Sequence, residues 1–241
     1  ILISTDTIFG TIGGGNLEYL VIDEAKKLID KNIANKVMNI PLGPGIGQCC
    51  GGYVQVKLSL HNNSKDALKN EYVVNNIKPN LYIFGSGHIG QALISKLENI
   101  NFNTFIIDSR EDYLKMTNIK DVNYLLSKKP WEIVSKLEDN SYFIVLTHSH
   151  DYDLKILNEI LKKNNTFVGL IGSLTKKKRF HKRLIDNGHN KSIVEKIECP
   201  IGIDIGNSKD PNEIAFSIIT RIISIKNSLK HLSNNKIKKV I

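Results

Sequence analysis

The sequence predicts an α/β protein in which a C-terminal Rossmann-like, doubly wound parallel sheet follows a smaller N-terminal α+β domain. Three observations carry this. Apolar strand patterns alternate with helical ones from about residue 81 to 228. A glycine-rich turn joins the first of those strands to the first helix. A polar stretch ending in Asn75-Asn76-Ile77-Lys78-Pro79-Asn80 separates this block from the one before it, and Pro79 stops any helix there. The expected domains are 1–75 and 80–230, with a basic tail over 231–241.

In the first block, 7–10 reads as a short strand, followed by a loop at Gly13-Gly14-Gly15. Leu17, Leu20, Val21, Ala25, Leu28 and Ile29 recur at helical spacing. A strand is expected over 37–42, and 53–60 alternates like a half-buried strand. In the second block, strands are expected over 81–84, 102–108, 122–125, 142–147 and 167–171. Helices are expected over 89–98, 131–137, 154–162, 175–185 and 211–228. Alternation of this kind puts helices on both faces of a parallel sheet. Asp210, Pro211 and Glu213 read as an N-cap, a first-position proline and an acid of the first turn.

Composition bounds the function. An apolar fraction of 41% is ample for a core, and no apolar run reaches the roughly 18 residues of a membrane span. No signal peptide is seen at Ile1-Leu2-Ile3-Ser4; the chain lacks an initial Met and is expected to have lost its start. The formal charge of +9 is mostly Lys and is local, in Lys176-Lys177-Lys178-Arg179 with Lys182 and Arg183, and in the tail from Lys226 to Lys239. Arg, the usual reader of bases, is scarce, so nucleic acid is not the expected partner. Cys49, Cys50 and Cys199 form no zinc spacing and no secreted disulfide framework, which fits reduced thiols in a cytoplasm.

The clearest chemical signal is Gly85-Ser86-Gly87-His88-Ile89-Gly90. After a strand and opening a helix, such a turn lets a pyrophosphate approach the backbone at the helix N-terminus. Asp108 ends the next strand, where a ribose-binding acid belongs. The bland alternative is a Rossmann turn that has lost its cofactor. His148-Ser149-His150-Asp151-Tyr152-Asp153 follows a strand and so lies at the ligand edge of the sheet. Metal binding, contact with a bound cofactor, and plain helix capping are its three readings. Gly172-Ser173 precedes the basic helix, whose cations oppose the helix dipole unless an anion meets them. The glycines around Gln48-Cys49-Cys50 leave backbone N–H groups for an anion and thiolates for a soft metal, or else form a tight turn with a buried Cys.

These motifs carry a resemblance. Gly-Thr-Ile-Gly-Gly-Gly (10–15) with Leu17-Glu18, Gly-Gln-Cys-Cys-Gly-Gly (47–52), the Gly85–Gly90 turn, the His148–Asp153 run, Ile171-Gly172-Ser173 and the 200–206 segment together resemble the XdhC/CoxI family, in its xanthine dehydrogenase accessory branch. The resemblance implies a chaperone, not an enzyme, that binds molybdenum cofactor (molybdopterin), protects its sulfurated form and delivers it to apo-xanthine dehydrogenase. It implies the molybdenum subunit of that enzyme and a cysteine desulfurase as partners, and Cys50 as the molybdenum ligand. A homo-oligomer is the expected assembly. The expected cofactor-binding residues are Gly13, Gly14, Gly15, Gln48, Cys49, Cys50, Gly85, Gly87, His88, Gly90, Asp108, His148, His150, Gly172 and Ser173. A dinucleotide such as NAD(P) is the alternative occupant of the Rossmann turn, with an oxidoreductase as the alternative function. No hydride-transfer set stands out in support of that alternative.

Overall fold

The computed structural model describes residues 1–43, 52–68 and 78–237. It divides into two units, Ile1–Ile77 and Lys78–Ile241. Gln48, Cys49 and Cys50 lie outside the described residues.

The first unit opens with a small antiparallel pair, β1 (Leu2–Ile3) and β2 (Ile8–Phe9). Helix α1 (Gly15–Asp30) follows, and its residues Val21, Ala25 and Leu28 share one face. That face packs on Ile40 and Leu58 of an antiparallel hairpin, β3 (Asn35–Pro41) and β4 (Tyr53–Ser59). Asn32, in the left-handed region at φ 50°, turns the chain out of α1. Asn carries that conformation at lower cost than bulkier residues. A single helical turn, α2 (Ser64–Ala67), is capped by the Asn63 side chain, which accepts from Asp66 N.

The second unit is a five-stranded parallel sheet. Its strands are β5 (Asn80–Phe84), β6 (Asn103–Asp108), β7 (Val122–Leu126), β8 (Ser141–Val145) and β9 (Asn165–Leu170). Their spatial order is β7-β6-β5-β8-β9. The order reverses direction between β5 and β8, so the loops leaving those two strands part and frame a crevice at their carboxyl ends. Along the chain, α3 (His88–Lys96) follows β5, α4 (Glu111–Leu114) follows β6, a 3₁₀ turn (Val134–Lys136) follows β7, α5 (His150–Ile160) follows β8, and α6 (Leu174–Asp186), α7 (Lys191–Val194) and α8 (Pro211–Ile237) follow β9.

The central strands are apolar on both sides because both faces are covered. Leu81 and Ile83 pack with Leu93, Ile94, Ile218 and Ile222 of α3 and α8. Tyr82 and Phe84 face the other way, onto Ile156, Leu157, Phe180 and Leu184 of α5 and α6. Each such fully buried side chain contributes about 1.5–3 kcal/mol. Asp210 caps α8 as the sequence predicts, accepting from Asn212 N at 2.7 Å and Glu213 N at 3.2 Å.

Two expectations change. The helix predicted over 131–137 is only the 3₁₀ turn Val134–Lys136. Trp131, Val134 and Leu137 recur every third residue, which suits the three-residue period of a 3₁₀ turn better than an α-helix. The last helix, expected to stop at 228, runs on to Ile237. No helix among the described residues is long and apolar enough to cross a membrane.

Candidate phosphate-binding edge

The three glycines of the Gly85–Gly90 turn do different work. Gly85 lies at φ 118°, and a Cβ there would sit 2.4 Å from Leu146 O. A Cβ on Gly90 would sit 2.1 Å from Gly85 O. Both are packing glycines. Gly87, at φ −74°, is the N-cap of α3, and a Cβ there would meet nothing within 4 Å. The space over Gly87 is therefore open. No side chain caps α3, and its first turn carries no acid. The helices on the neighbouring strands differ. Ser149 caps α5 and Ser173 caps α6, each accepting a first-turn N–H. Among these three N-termini, that of α3 is the one left for an outside acceptor. His88 is exposed at its first position.

Buried polar groups hold the turn. Ser86 is fully buried, and its hydroxyl donates to Tyr113 O at 2.9 Å. The Gln91 amide reaches Ser86 O and Tyr113 O, and Thr117 donates to its oxygen. Asp108 is also buried. Its Oδ2 accepts from Ser86 N at 2.7 Å and from Arg110 Nη2 at 2.9 Å; its Oδ1 accepts from Arg110 N at 2.9 Å and Nε at 3.0 Å. Burial pushes this carboxyl up, but the Arg110 guanidinium and the two backbone donors outweigh it and hold Asp108 below the ordinary range. The expectation that Asp108 receives a ribose hydroxyl meets a carboxylate already committed within the chain.

A shallow groove, too tight to hold a water molecule, lies at the switch point, lined by Gly85, Asp108, Thr147, His148 and Tyr152 among others. His148 is exposed and stands edge-on to Tyr152 at 5.3 Å, and Tyr152 stands edge-on to Trp131 at 5.0 Å. His150 turns instead to Phe180, 6.2 Å away. Asp153 is wholly buried; its Oδ1 accepts from Thr147 N and Oγ1, and its Oδ2 pairs with Lys176 Nζ at 2.7 Å. The run therefore does not converge on a point. No group of three or more His, Cys, Asp or Glu suited to a metal occurs among the described residues.

Lys176 also donates to Ile171 O at 2.9 Å, and its chain crosses Gly172, where a Cβ would lie 2.4 Å from Lys176 Cδ. The loop after β8 and the loop carrying Gly172 and Ser173 are thus joined by one buried ion pair. This revises the reading of the basic cluster. Lys176 meets an internal acid, whereas Lys178, Arg179, Lys182 and Arg183 are exposed and form no ion pair among the described residues. Cys199 lies beneath this loop, buried, with Sγ 3.8 Å from the carbonyls of Gly172 and Ser173. Burial pushes its thiol up, against the pull of Lys176 and Lys177.

Gly13, Gly14 and Gly15 belong to the first unit, and all have positive φ. Their loop is filled from within. The Glu18 carboxylate accepts from Ile12 N at 2.9 Å, from Gly14 N at 3.2 Å and from the Thr11 hydroxyl. The Thr11 hydrogen bond, then that of Ile12, holds Glu18 below the usual carboxylate range. A larger cleft, about 1020 Å³, lies in the same unit between the first hairpin, α1 and β4. Its lining is mostly apolar, and no ionisable set converges on it, so the chemistry is read at the sheet edge. Sequence reasoning missed Arg110, Gln91 and the internal roles of Glu18 and Lys176. Only Arg110 had a local signal, two residues beyond Asp108 at the end of a strand.

Comparison with known proteins agrees with this architecture. The family described as "XdhC Rossmann domain" matches residues 81–222. "Uncharacterized protein YqeB" of Escherichia coli (strain K12) is 24% identical over 92% of this chain and 39% of its own length. A probable xanthine dehydrogenase subunit of Bacillus subtilis (strain 168) is 27% identical over 62% of this chain and 43% of its own length. The chain thus spans about two fifths of the length of these curated relatives. The crystal structure of a xanthine dehydrogenase from Bacillus halodurans superposes with a TM-score of 0.76 at 19% identity, covering 94% of this chain and 85% of that one. At that identity the match establishes a shared fold.

Proposed function

We propose, from the premise that this chain belongs to the XdhC family, that it is an accessory protein of xanthine dehydrogenase, carrying molybdenum cofactor as cargo to the molybdenum subunit of that enzyme. The observation that carries the reading is the α3 N-terminus. It is uncapped, it sits at the switch point, and the space over Gly87 is clear. A phosphate-bearing ligand fits such a place, because free N–H groups and the helix dipole favour an anion. His88 and His148 stand exposed at the same edge, where they can orient the rest of a ligand. By family resemblance, Cys50 with Cys49 and Gln48 takes the molybdenum end, and a thiolate is a ligand of the right softness.

The exposed cations of α6 supply the docking surface. Lys178, Arg179, Lys182 and Arg183 would steer an acidic face of the receiving enzyme toward the ligand edge, mainly through association rate. A cysteine desulfurase is the second proposed partner, a homo-oligomer the proposed assembly, and the cytoplasm the proposed compartment. A nicotinamide-dependent oxidoreductase is the second reading, favoured by the same glycine turn between β5 and α3.

The test is what copurifies. A fluorescent oxidised pterin released on denaturation supports the cargo reading, and nicotinamide absorbance without pterin supports the oxidoreductase. Cys50→Ala should abolish pterin retention in a folded protein, with Cys49→Ala milder. Undiminished retention in the double variant would overturn the thiolate assignment.

A further inference from the structure

We propose that Arg110 makes the glycine-turn site selective for a nucleotide that carries a phosphate on its ribose, over one whose ribose hydroxyls are free. The proposal rests on the second reading, in which a nucleotide occupies the turn through its phosphates, and it names which class of nucleotide. The juxtaposition is that of Asp108, Arg110 and Tyr113 immediately behind the turn.

A free ribose diol in a Rossmann site is held by an acid that accepts from its hydroxyls. A carboxylate offers about four lone-pair sites. All of those on Asp108 are taken, by Ser86 N, Arg110 N, Arg110 Nε and Arg110 Nη2, at 2.7 to 3.0 Å. Asp108 is also only 3% exposed, behind the guanidinium that covers it. It has no capacity left for a hydroxyl.

What the chain exposes just beyond β6 is a donor. The Arg110 side chain is 29% exposed. Its guanidinium lies over the Tyr113 ring, 3.7 Å from the centroid, so carboxylate and ring together fix its plane. Of its five N–H groups, those not bonded to Asp108 have no partner among the described residues. A planar fork of this kind matches phosphate oxygens. A second cation stands beside it: Lys128 is exposed at the end of β7 and donates to Ser109 O at 3.2 Å. Of the two acids in the first turn of α4, Glu111 and Asp112, Glu111 is paired with Lys115 at 2.6 Å. The rim beyond β6 thus presents donors where a free ribose needs an acceptor.

The experiment is calorimetry on the whole chain with adenosine 5′-diphosphate and with the same nucleotide carrying a further phosphate on its 2′-hydroxyl. The 2′-phosphorylated probe should bind about tenfold or more tighter, as one to two added charge-assisted hydrogen bonds imply. Arg110→Lys keeps a cation beside Asp108 but removes the fork. It should erase most of that preference and leave the diphosphate affinity within about twofold, while the protein, having lost the paired bonds to Asp108, still folds but unfolds at a lower temperature. If the two probes bind equally, or the diphosphate binds better, the proposal fails while the phosphate reading stands. If neither probe nor pyrophosphate binds, both fail.

Discussion

The two glycine loops of this protein resemble each other as sequence and differ as structure. Gly13-Gly14-Gly15 and Gly85–Gly90 both promise backbone N–H groups to an anion. In the first, the chain supplies the anion itself, since Glu18 returns from the first turn of α1 to accept from Ile12 and Gly14. In the second, the chain's own carboxylate, Asp108, engages Ser86 at the rear of the turn and leaves Gly87 clear. A glycine loop is a ligand site only where no neighbouring side chain has already filled it. What separates the two is where an acid falls in space, not how much glycine there is.

The largest expected effect breaks the second loop outright. Gly90→Ala puts a methyl against Gly85 O, and Gly85→Ala puts one against Leu146 O. Either should lose about 3 kcal/mol of stability in a denaturant titration, since backbone cannot yield as a flexible side chain does. Gly87→Val sharpens the comparison. Its Cβ meets nothing and its φ is allowed, so stability should fall by no more than about 1 kcal/mol, the cost of a poorer N-cap residue, while phosphate binding falls about a hundredfold. Wild-type affinity in that variant would remove the turn as a phosphate site.

Acid should act on the two units unequally. His181 and His189 of the second unit are pushed below the ordinary imidazole value, mainly by burial, with Lys177 adding to the effect at His181 and Lys162 at His189. A depressed histidine contributes stability that is whole above about pH 6.5 and declines as pH falls toward its folded value. The thermal midpoint of the second unit should therefore drop as pH falls below about 6.5, and His181→Gln should flatten the drop. Asp108 and Glu18 act lower. Their contributions hold above about pH 4 and vanish as pH falls through their depressed values. The smallest effect is local. Glu18→Gln should speed amide exchange at Ile12 and Gly14 with little change in global stability. Unchanged exchange would mean that the carboxylate does not hold that loop.

Much of the second unit was readable because burial on both faces forces long apolar runs. Tyr82-Ile83-Phe84 and Tyr142-Phe143-Ile144-Val145 are recognisable as central strands without any partner. The turn and its opening at Gly87 were equally local. What was not readable depends on residues brought together from a distance. Lys176 reads as one of a basic run, but Asp153, twenty-three residues earlier, takes it out of that run. Gln91 reaches Tyr113 across another element. The 3₁₀ turn at Val134 shows a subtler failure. Three apolar residues at spacing three satisfy a helical template that is too short to exclude its tighter relative.

The ion pair between Asp153 and Lys176 has a consequence for the cost of capture. It ties the strand-β8 loop to the strand-β9 loop with both charged groups shielded, the acid wholly and the lysine nine-tenths. Shielded charges feel little ionic atmosphere, so this tie should persist at salt concentrations that silence the exposed cations of α6. The residues it holds directly, Thr147 and Ile171, anchor the two loops at the sheet, so less backbone is left to order when a molecule arrives there. Capture at this edge is then a matter of fit, while the approach of a macromolecule along α6 remains tunable by the surrounding electrolyte.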